Sequence, residues 1–469
     1  MAIVYIPLVD PGTDGNIIPK LQDAYDLCNP LNYNIILLPP KYYYAYGTAT
    51  NTCKNVELRC STLAVNTWSD FTNDYLTGNP LTWSVVPQCV IRRNESTSDA
   101  SLEAVSIIEN IINSTSPCGI KISDIDFRSK IPSVNGNVTA GIPAADGLSL
   151  AVDYGIRFNG CVDYQVTRCK FSWFGDAAII VKHDDYIVRG LIYKNHFEKN
   201  AKGVDGAGAG YGIAVSGLDL NYDTNAGFGT SNFNFFENNS SSMHRHWAAA
   251  GGCGRYNARH NYVENGGSVT NYSSSQSFDA HGGRFDTPGS GNYFPSRVIS
   301  ISNNKIITTK YYDGTPINNN NGHDLIERAI YTKECEARVY NNIIAGSRFS
   351  VAIGIENYGI ISTAYPIPYT MGYESGISGG SGNPNGSAGD SYYWNNNCLV
   401  NDAGNGAGYA QAFYNFYPSN LLNGRDYHLT DPGETEYTYP HPLRDDLVVI
   451  PPIITTGIRT HQTRIFHTR

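Results

Sequence analysis

The densest chemistry in the chain lies between His244 and Gly283. These 40 residues hold four of the 11 histidines, and three arginines but no acid fall between His244 and His260. The whole chain carries a formal net charge of -9, so basic and titratable groups are gathered here against the general balance. The segment contains His244-Arg245-His246-Trp247, then Arg255-Tyr256-Asn257-Ala258-Arg259-His260-Asn261, then Ser277-Phe278-Asp279-Ala280-His281-Gly282. In a strand, residues i and i+2 share a face. Asp279 would then stand beside His281, and His244 beside His246 with Arg245 opposite. His260 and His281 are 21 residues apart, close to one short turn of a stacked coil. Equivalent side chains in such a coil lie about 4.8 Å apart.

Those residue types permit two reactions on a sugar polymer. In a β-elimination, an arginine neutralises a uronate carboxyl, a histidine removes the adjacent C–H proton, and a tyrosine or second histidine protonates the leaving oxygen. In a hydrolysis, two carboxylates must flank the bond, about 5 Å or roughly 6.5–9.5 Å apart according to stereochemical outcome. Asp279 would be one of them, with Glu264, Asp286 or Glu327 as partner. The local excess of arginine and histidine over acids favours an anionic sugar and elimination. The expected catalytic residues are therefore His246, His260, Asp279 and His281, with Arg245, Arg255, Tyr256, Arg259 and Trp247 binding substrate. Plainer roles stand beside these. Asp279 and His281 fit a structural pair, Arg245 and Arg259 fit turn-stacking residues that bond main-chain carbonyls, and His244 fits an exposed position.

A scaffold must bring these groups together, and the composition indicates its class. Charged residues make up 16% of the 469, below the roughly 25% usual in globular domains. Short β-branched and aromatic runs broken by Gly, Asn and Ser fill the chain, so the fold class is all-β. One helix signal appears, with Ile17, Leu21, Ala24, Tyr25 and Cys28 at helical spacing and Pro19 in the first turn. From Gly119 onward, alternating segments such as Lys121–Phe127, Tyr164–Phe171, Arg297–Ile306 and Arg338–Ile344 recur, several ending in Asn-Asn. Asparagine accepts left-handed backbone at a corner and can bond to its own copy one turn away. Short strands at irregular intervals of about 20 to 40 residues fit a parallel β-solenoid better than a propeller, which would keep a fixed blade period. The expected organisation is an N-terminal cap over 1–33, a parallel β-helix over 34–360, and a long loop, late turn and tail over 361–469.

Other classes are disfavoured. An acidic chain is a poor general nucleic-acid binder, and no apolar run approaches the ~20 residues of a membrane span. The start, Met1 to Pro7, lacks the layout of a signal peptide. The 10 cysteines include no C-x-x-C pair and read mostly as buried reduced thiols, with disulfides between stacked turns as the alternative. Asp184-Asp185 after His183 is the nearest approach to a calcium site but lacks the spaced acidic pattern, so no metal or cofactor is expected.

The order of motifs resembles the right-handed parallel β-helix proteins of the pectate-lyase-like superfamily. The opening helix ending Asp26-Leu27-Cys28, followed by Ile35-Ile36-Leu37-Leu38-Pro39-Pro40, is similar to the N-terminal turn of that superfamily. Gly210-Tyr211-Gly212, Arg245-His246, Tyr256-Asn257-Ala258-Arg259-His260-Asn261 and Ser277-Phe278-Asp279-Ala280-His281-Gly282 resemble a subgroup's motifs in the same order. Where that subgroup often carries an aromatic residue, this chain has His260. The resemblance implies a right-handed single-stranded solenoid with a short N-terminal capping helix and an irregular C-terminal segment. It implies a polysaccharide lyase, hydrolase or epimerase, extracellular or virion-borne. The rival reading is a non-enzymatic, tailspike-like or surface glycan-binding protein, and since tailspikes of this fold are commonly trimers, a homotrimer is the assembly to look for.

Overall fold

A computed structural model describes residues 1–13, 15–66, 85–93, 105–114, 116–129, 153–182, 188–200, 210–216, 233–244, 246–250, 255–266, 276–281, 283–284, 293–294, 296–308, 326–333, 335–346, 349–356, 391–400, 411–415, 423–424 and 427–444. Their strands form three long sheets, one of 12 strands and two of 10. Every pairing in the three is parallel, and from Tyr33 to Asn415 each turn gives one strand to each sheet, with Ile3–Ile6 and Tyr427–His428 added at the two ends of the first. One turn, for example, runs Tyr256–Arg259 in the first sheet, Tyr262–Gly266 in the second and Gln276–His281 in the third. The next runs Ser296–Ser302, Lys305–Thr308 and Ile326–Lys333. This is a right-handed parallel β-helix: the periodicity predicts the parallel solenoid, and the resemblance implies its hand. Strands Ser391–Trp394, Asn397–Val400 and Gln411–Asn415 extend all three sheets past residue 360.

The helix Ile18–Asp26 covers the first turn. Its buried face of Ile18, Leu21, Ala24 and Tyr25 joins a continuous apolar core that reaches Tyr393. Inside the coil like residues stack. Phe127, Phe171 and Phe197 from successive turns lie 5.3 and 5.2 Å apart and nearly parallel.

The Asn-Asn pairs build the corner between the first and second sheets. The first member turns the chain with positive φ, at Asn238, Asn303, Asn341 and Asn395. The second enters a ladder in which each side-chain nitrogen donates to the oxygen of the next. It runs from Asn195 through Asn239, Asn261, Asn304 and Asn342 to Asn396, with steps of 2.9–3.1 Å. Each amide also donates to a carbonyl of the preceding turn, as Asn261 does to Phe236. The corner's buried polar backbone is thereby satisfied.

The third sheet departs from simple alternation. Ala178 with Ile179, Trp247 with Ala248, Ala329 with Ile330 and Ala352 with Ile353 are consecutive residues that both enter the core. The repeated bulge lets residues three apart, before and after each inward pair, face outward together. Gly212 belongs to this bulge: a Cβ there would come within 2.7 Å of the Trp247 carbonyl oxygen.

The nine described cysteines are free thiols, six of them buried. Burial pushes Cys398 up to about 11 and Cys28 to about 12. Among the described residues no helix is long and apolar enough to cross a membrane. Asp184, Asp185, the glycine-rich 373–390 stretch and the 448–454 tail lie outside the described residues.

Candidate active site on the third sheet

Of the expected site residues, the structure brings His246 and Asp279 together. They lie on adjacent strands of the third sheet, His246–Ala250 and Gln276–His281, in neighbouring turns. His246 precedes the inward pair of its strand and Asp279 follows that of the next, so the bulge aims both outward. His246 Nε2 is 3.6 Å from Asp279 Oδ2. Its Nδ1 is 3.0 Å from the Gln276 carbonyl oxygen and 3.3 Å from the Gln276 backbone nitrogen. A proton on Nδ1 would be donated to the carbonyl, whereas a proton on Nε2 would point at the carboxylate and leave Nδ1 to accept from the Gln276 nitrogen. In either form the Asp279 carboxylate can orient the imidazole and offset the positive charge of a ring that accepts a proton, which suits a general base. The His246 ring also stacks on Tyr211, with centroids 5.4 Å apart. His246 and Asp279 are 1% and 5% exposed, whereas Tyr211 is half-buried.

Sequence alone did not single out Gln276, Arg328 and Tyr331, which adjoin the pair. Ala248 pairs with Phe278, which sets His246 level with Gln276, and Gln276 pairs with Arg328. Asp279 pairs with Tyr331, whose ring carries the Arg328 guanidinium 3.7 Å above it. Tyr211 lay within a quoted motif, but as a strand signature rather than a site residue. Arg328 aligns only through strand register across the intervening residues, which no local spacing reveals.

The expected convergence of Arg259 and His260 on this face is corrected by the structure. Strand Tyr256–Arg259 belongs to the first sheet, and His260 is the corner residue after it, with φ +57°. His260 thus replaces the first asparagine of an Asn-Asn pair, and the expected ladder with His281 does not exist. Its ring lies 4.0 Å from Tyr439, and burial, aided by Arg259 and Arg444, lowers its pKa to about 3. Arg259 is fully buried and pairs with fully buried Glu237 at 2.9 and 2.6 Å. It also donates to the carbonyls of Tyr437 and Thr438 at 2.6 and 2.8 Å and lies between the rings of Phe235 and Tyr439. The carbonyl-bonding role is the one found, and it fastens segment 434–444 along the first sheet. Arg338 fastens the same segment through two 2.7 Å bonds to Glu434.

Three further expectations change. Trp247 is the first residue of an inward pair, 0% exposed, and packs edge-on against Phe278 at 5.1 Å and Phe236 at 6.2 Å. Tyr256 is likewise in the core, stacked on Phe236 at 5.3 Å. Neither ring reaches a surface ligand. His244 is 0% exposed rather than solvated, accepts a bond from the Asn200 nitrogen, and is lowered by burial to about 3. Arg255 immediately precedes the first-sheet strand and is 7% exposed. Arg245 lies outside the described residues. His281 is placed by its backbone, paired with Lys333, and its side chain lies outside the description.

No protein-family model and no curated protein matches the chain. Solved structures do resemble it. The catalytic unit of a GH87 alpha-1,3-glucanase from Streptomyces thermodiastaticus matches with 12% identity and TM-score 0.41, over 91% of this chain and 67% of that one. DFA-IIIase from Arthrobacter chlorophenolicus matches with 11% identity and TM-score 0.41, over 93% and 94%. The tailspike protein of E. coli bacteriophage HK620 matches with 11% identity and TM-score 0.39, over 90% and 64%. At such scores the likeness is one of chain path and assigns no activity.

Proposed function

We propose that the chain binds and depolymerises a complex anionic polysaccharide across the outer face of the third sheet, and that it does so by β-elimination. The observation that supports this most is the His246–Asp279 pair, in which a carboxylate lies 3.6 Å from Nε2, where it can offset the charge of a proton-accepting imidazole. His246 takes the proton from the carbon next to a uronate carboxyl. The bond from the neighbouring carbon to the glycosidic oxygen breaks, a double bond forms between the two carbons, and the departing oxygen takes up a proton. The resulting imidazolium is held by the Gln276 carbonyl at 3.0 Å and the Asp279 carboxylate at 3.6 Å. Hydrolysis by two carboxylates is the rival chemistry: of the partners expected for Asp279, Glu264 lies in the second sheet, while Asp286 and the Glu327 side chain lie outside the described residues. The roles expected of Arg245 and His281 belong to this reading. So do an extracellular or virion-borne location and assembly as a homotrimer.

The low exposure of His246 and Asp279 favours a second reading, in which the pair is structural and the solenoid binds glycans without cutting them. One experiment separates the readings. The protein is incubated with a panel of acidic polysaccharides while ultraviolet absorbance of unsaturated products and reducing ends are both followed. Elimination raises both signals and hydrolysis raises reducing ends alone. Binding with neither signal overturns the enzymatic reading.

A further inference from the structure

Four cysteines far from the third-sheet site are set side by side as two pairs of thiols. Cys60 ends the first-sheet strand Val56–Cys60, and Cys89 opens the second-sheet strand Cys89–Arg93 of the same turn. Residues 61–88 are inserted between them. In the next turn Ser123, Asp124 and Ile125 follow one another directly at this corner. Arg59 pairs with Ser123 and Cys89 with Ile125, so Cys60 and Cys89 stand against the adjacent residues Asp124 and Ile125. Adjacent Cα atoms are about 3.8 Å apart, close to the roughly 4.4–6.8 Å that a disulfide spans. The Cys89 thiol donates a hydrogen bond to the Cys60 sulfur. That bond, helped by the Thr62 N–H at 3.4 Å, lowers the Cys60 thiol to about 7. Cys118 and Cys161 meet in a similar way between successive turns. Pro117 bridges to Val162, and the Cys118 nitrogen donates to the Val162 carbonyl at 2.7 Å. The Cys161 thiol donates to the Cys118 sulfur. All four cysteines are fully buried. A cysteine that only fills space acts as a small apolar group, and packing does not call for two sulfurs in contact.

From these placements we infer that Cys60 with Cys89, and Cys118 with Cys161, are disulfide-forming sites that close when the folding chain meets a small disulfide oxidant such as glutathione disulfide. The first bond ties both ends of the 61–88 insertion to one corner, and the second fastens one turn to the next across residues 119–160. In closure, one cysteine thiolate attacks a sulfur of glutathione disulfide and expels a glutathione thiolate. The partner cysteine gives up its proton, attacks the mixed disulfide and expels the second glutathione. Two cysteine thiols are oxidised to one disulfide, and one glutathione disulfide is reduced to two thiols that carry the two protons. Because exchange needs access to the sulfurs, it takes place while the corners are still open during folding.

The test refolds the full chain from denaturant with a mixture of reduced and oxidised glutathione, and in parallel with excess reductant. Remaining thiols in the folded fraction are alkylated under denaturing conditions, and the protein is digested without reduction for peptide mapping. The glutathione sample should yield peptides joining Cys60 to Cys89 and Cys118 to Cys161, each two hydrogens lighter than its parts, and the reduced sample should yield neither. C60S/C89S should lose the first link and keep the second, and C118S/C161S should do the reverse. Recovery of these cysteines as alkylated thiols from folded protein of the glutathione sample overturns the inference, as does their linkage to other cysteines. The map of the unaltered chain decides the matter even where a variant fails to fold.

Discussion

Replacing Arg259 with methionine separates a structural arginine from a substrate-binding one. The change removes a guanidinium that is 0% exposed and makes two bonds to Glu237 and two to the carbonyls of Tyr437 and Thr438. Methionine keeps most of the volume between Phe235 and Tyr439, so the main loss is electrostatic. Glu237 is left fully buried, with the His441 backbone nitrogen at 3.3 Å as its remaining described donor. Removing one partner of a buried pair typically costs about 3–5 kcal/mol. The companion variant Arg259→Met/Glu237→Gln removes both charges and should restore more than half of that loss, since joint apolar or neutral replacement is often close to neutral. The assay is the unfolding midpoint in denaturant at unchanged m, with limited proteolysis within 434–444 as a second readout. Stability of Arg259→Met within about 1 kcal/mol of the parent, with the segment still protected, would refute the clamp.

The corner ladder and the buried histidines give two further predictions. Asn261→Ala deletes the side-chain bonds to Phe236, Arg259 and Asn304 and the acceptor for Asn239. It should cost roughly 2–4 kcal/mol by leaving buried groups unsatisfied, and a loss below 1 kcal/mol in the same unfolding assay would contradict this. His244 and His441 are 0% and 5% exposed, and burial lowers each to about 3 from an ordinary 6.5. Between those values the unfolded chain binds protons that the folded chain does not. Their contribution is therefore complete above pH 6.5 and declines as pH falls toward 3, by roughly 1.4 kcal/mol per unit per histidine. His244→Gln should flatten the fall in the unfolding midpoint between pH 6 and pH 4, and an unchanged slope would show that His244 is not buried neutral.

The coil was legible because its signals are local. Alternation marked the strands, helical spacing marked Ile18–Asp26, and the Asn-Asn pairs marked a corner. His260-Asn261 could have been placed by the same pattern, since it stands where Asn238-Asn239 and Asn303-Asn304 stand in their turns. Two features hid most of the site. The chain passes from the second sheet to the third between His244 and His246, so period-2 reasoning paired two residues that lie in different sheets. Strand register across long insertions decides that Arg328 follows Gln276 and His246, and no residue spacing encodes it. The proximity of His246 and Asp279 was legible as a shared basic, histidine-rich segment; its placement apart from Arg259 was not.

The most direct test is the rate of unsaturated-product formation from an acidic polysaccharide by the parent protein, His246→Gln and Asp279→Asn, each with an unaltered unfolding midpoint. The account predicts activity in the parent, a loss of roughly 10²–10⁴-fold in His246→Gln as expected for removal of a general base, and a smaller loss in Asp279→Asn. Parent-like rates in both variants would contradict it and move the chemistry off the third sheet.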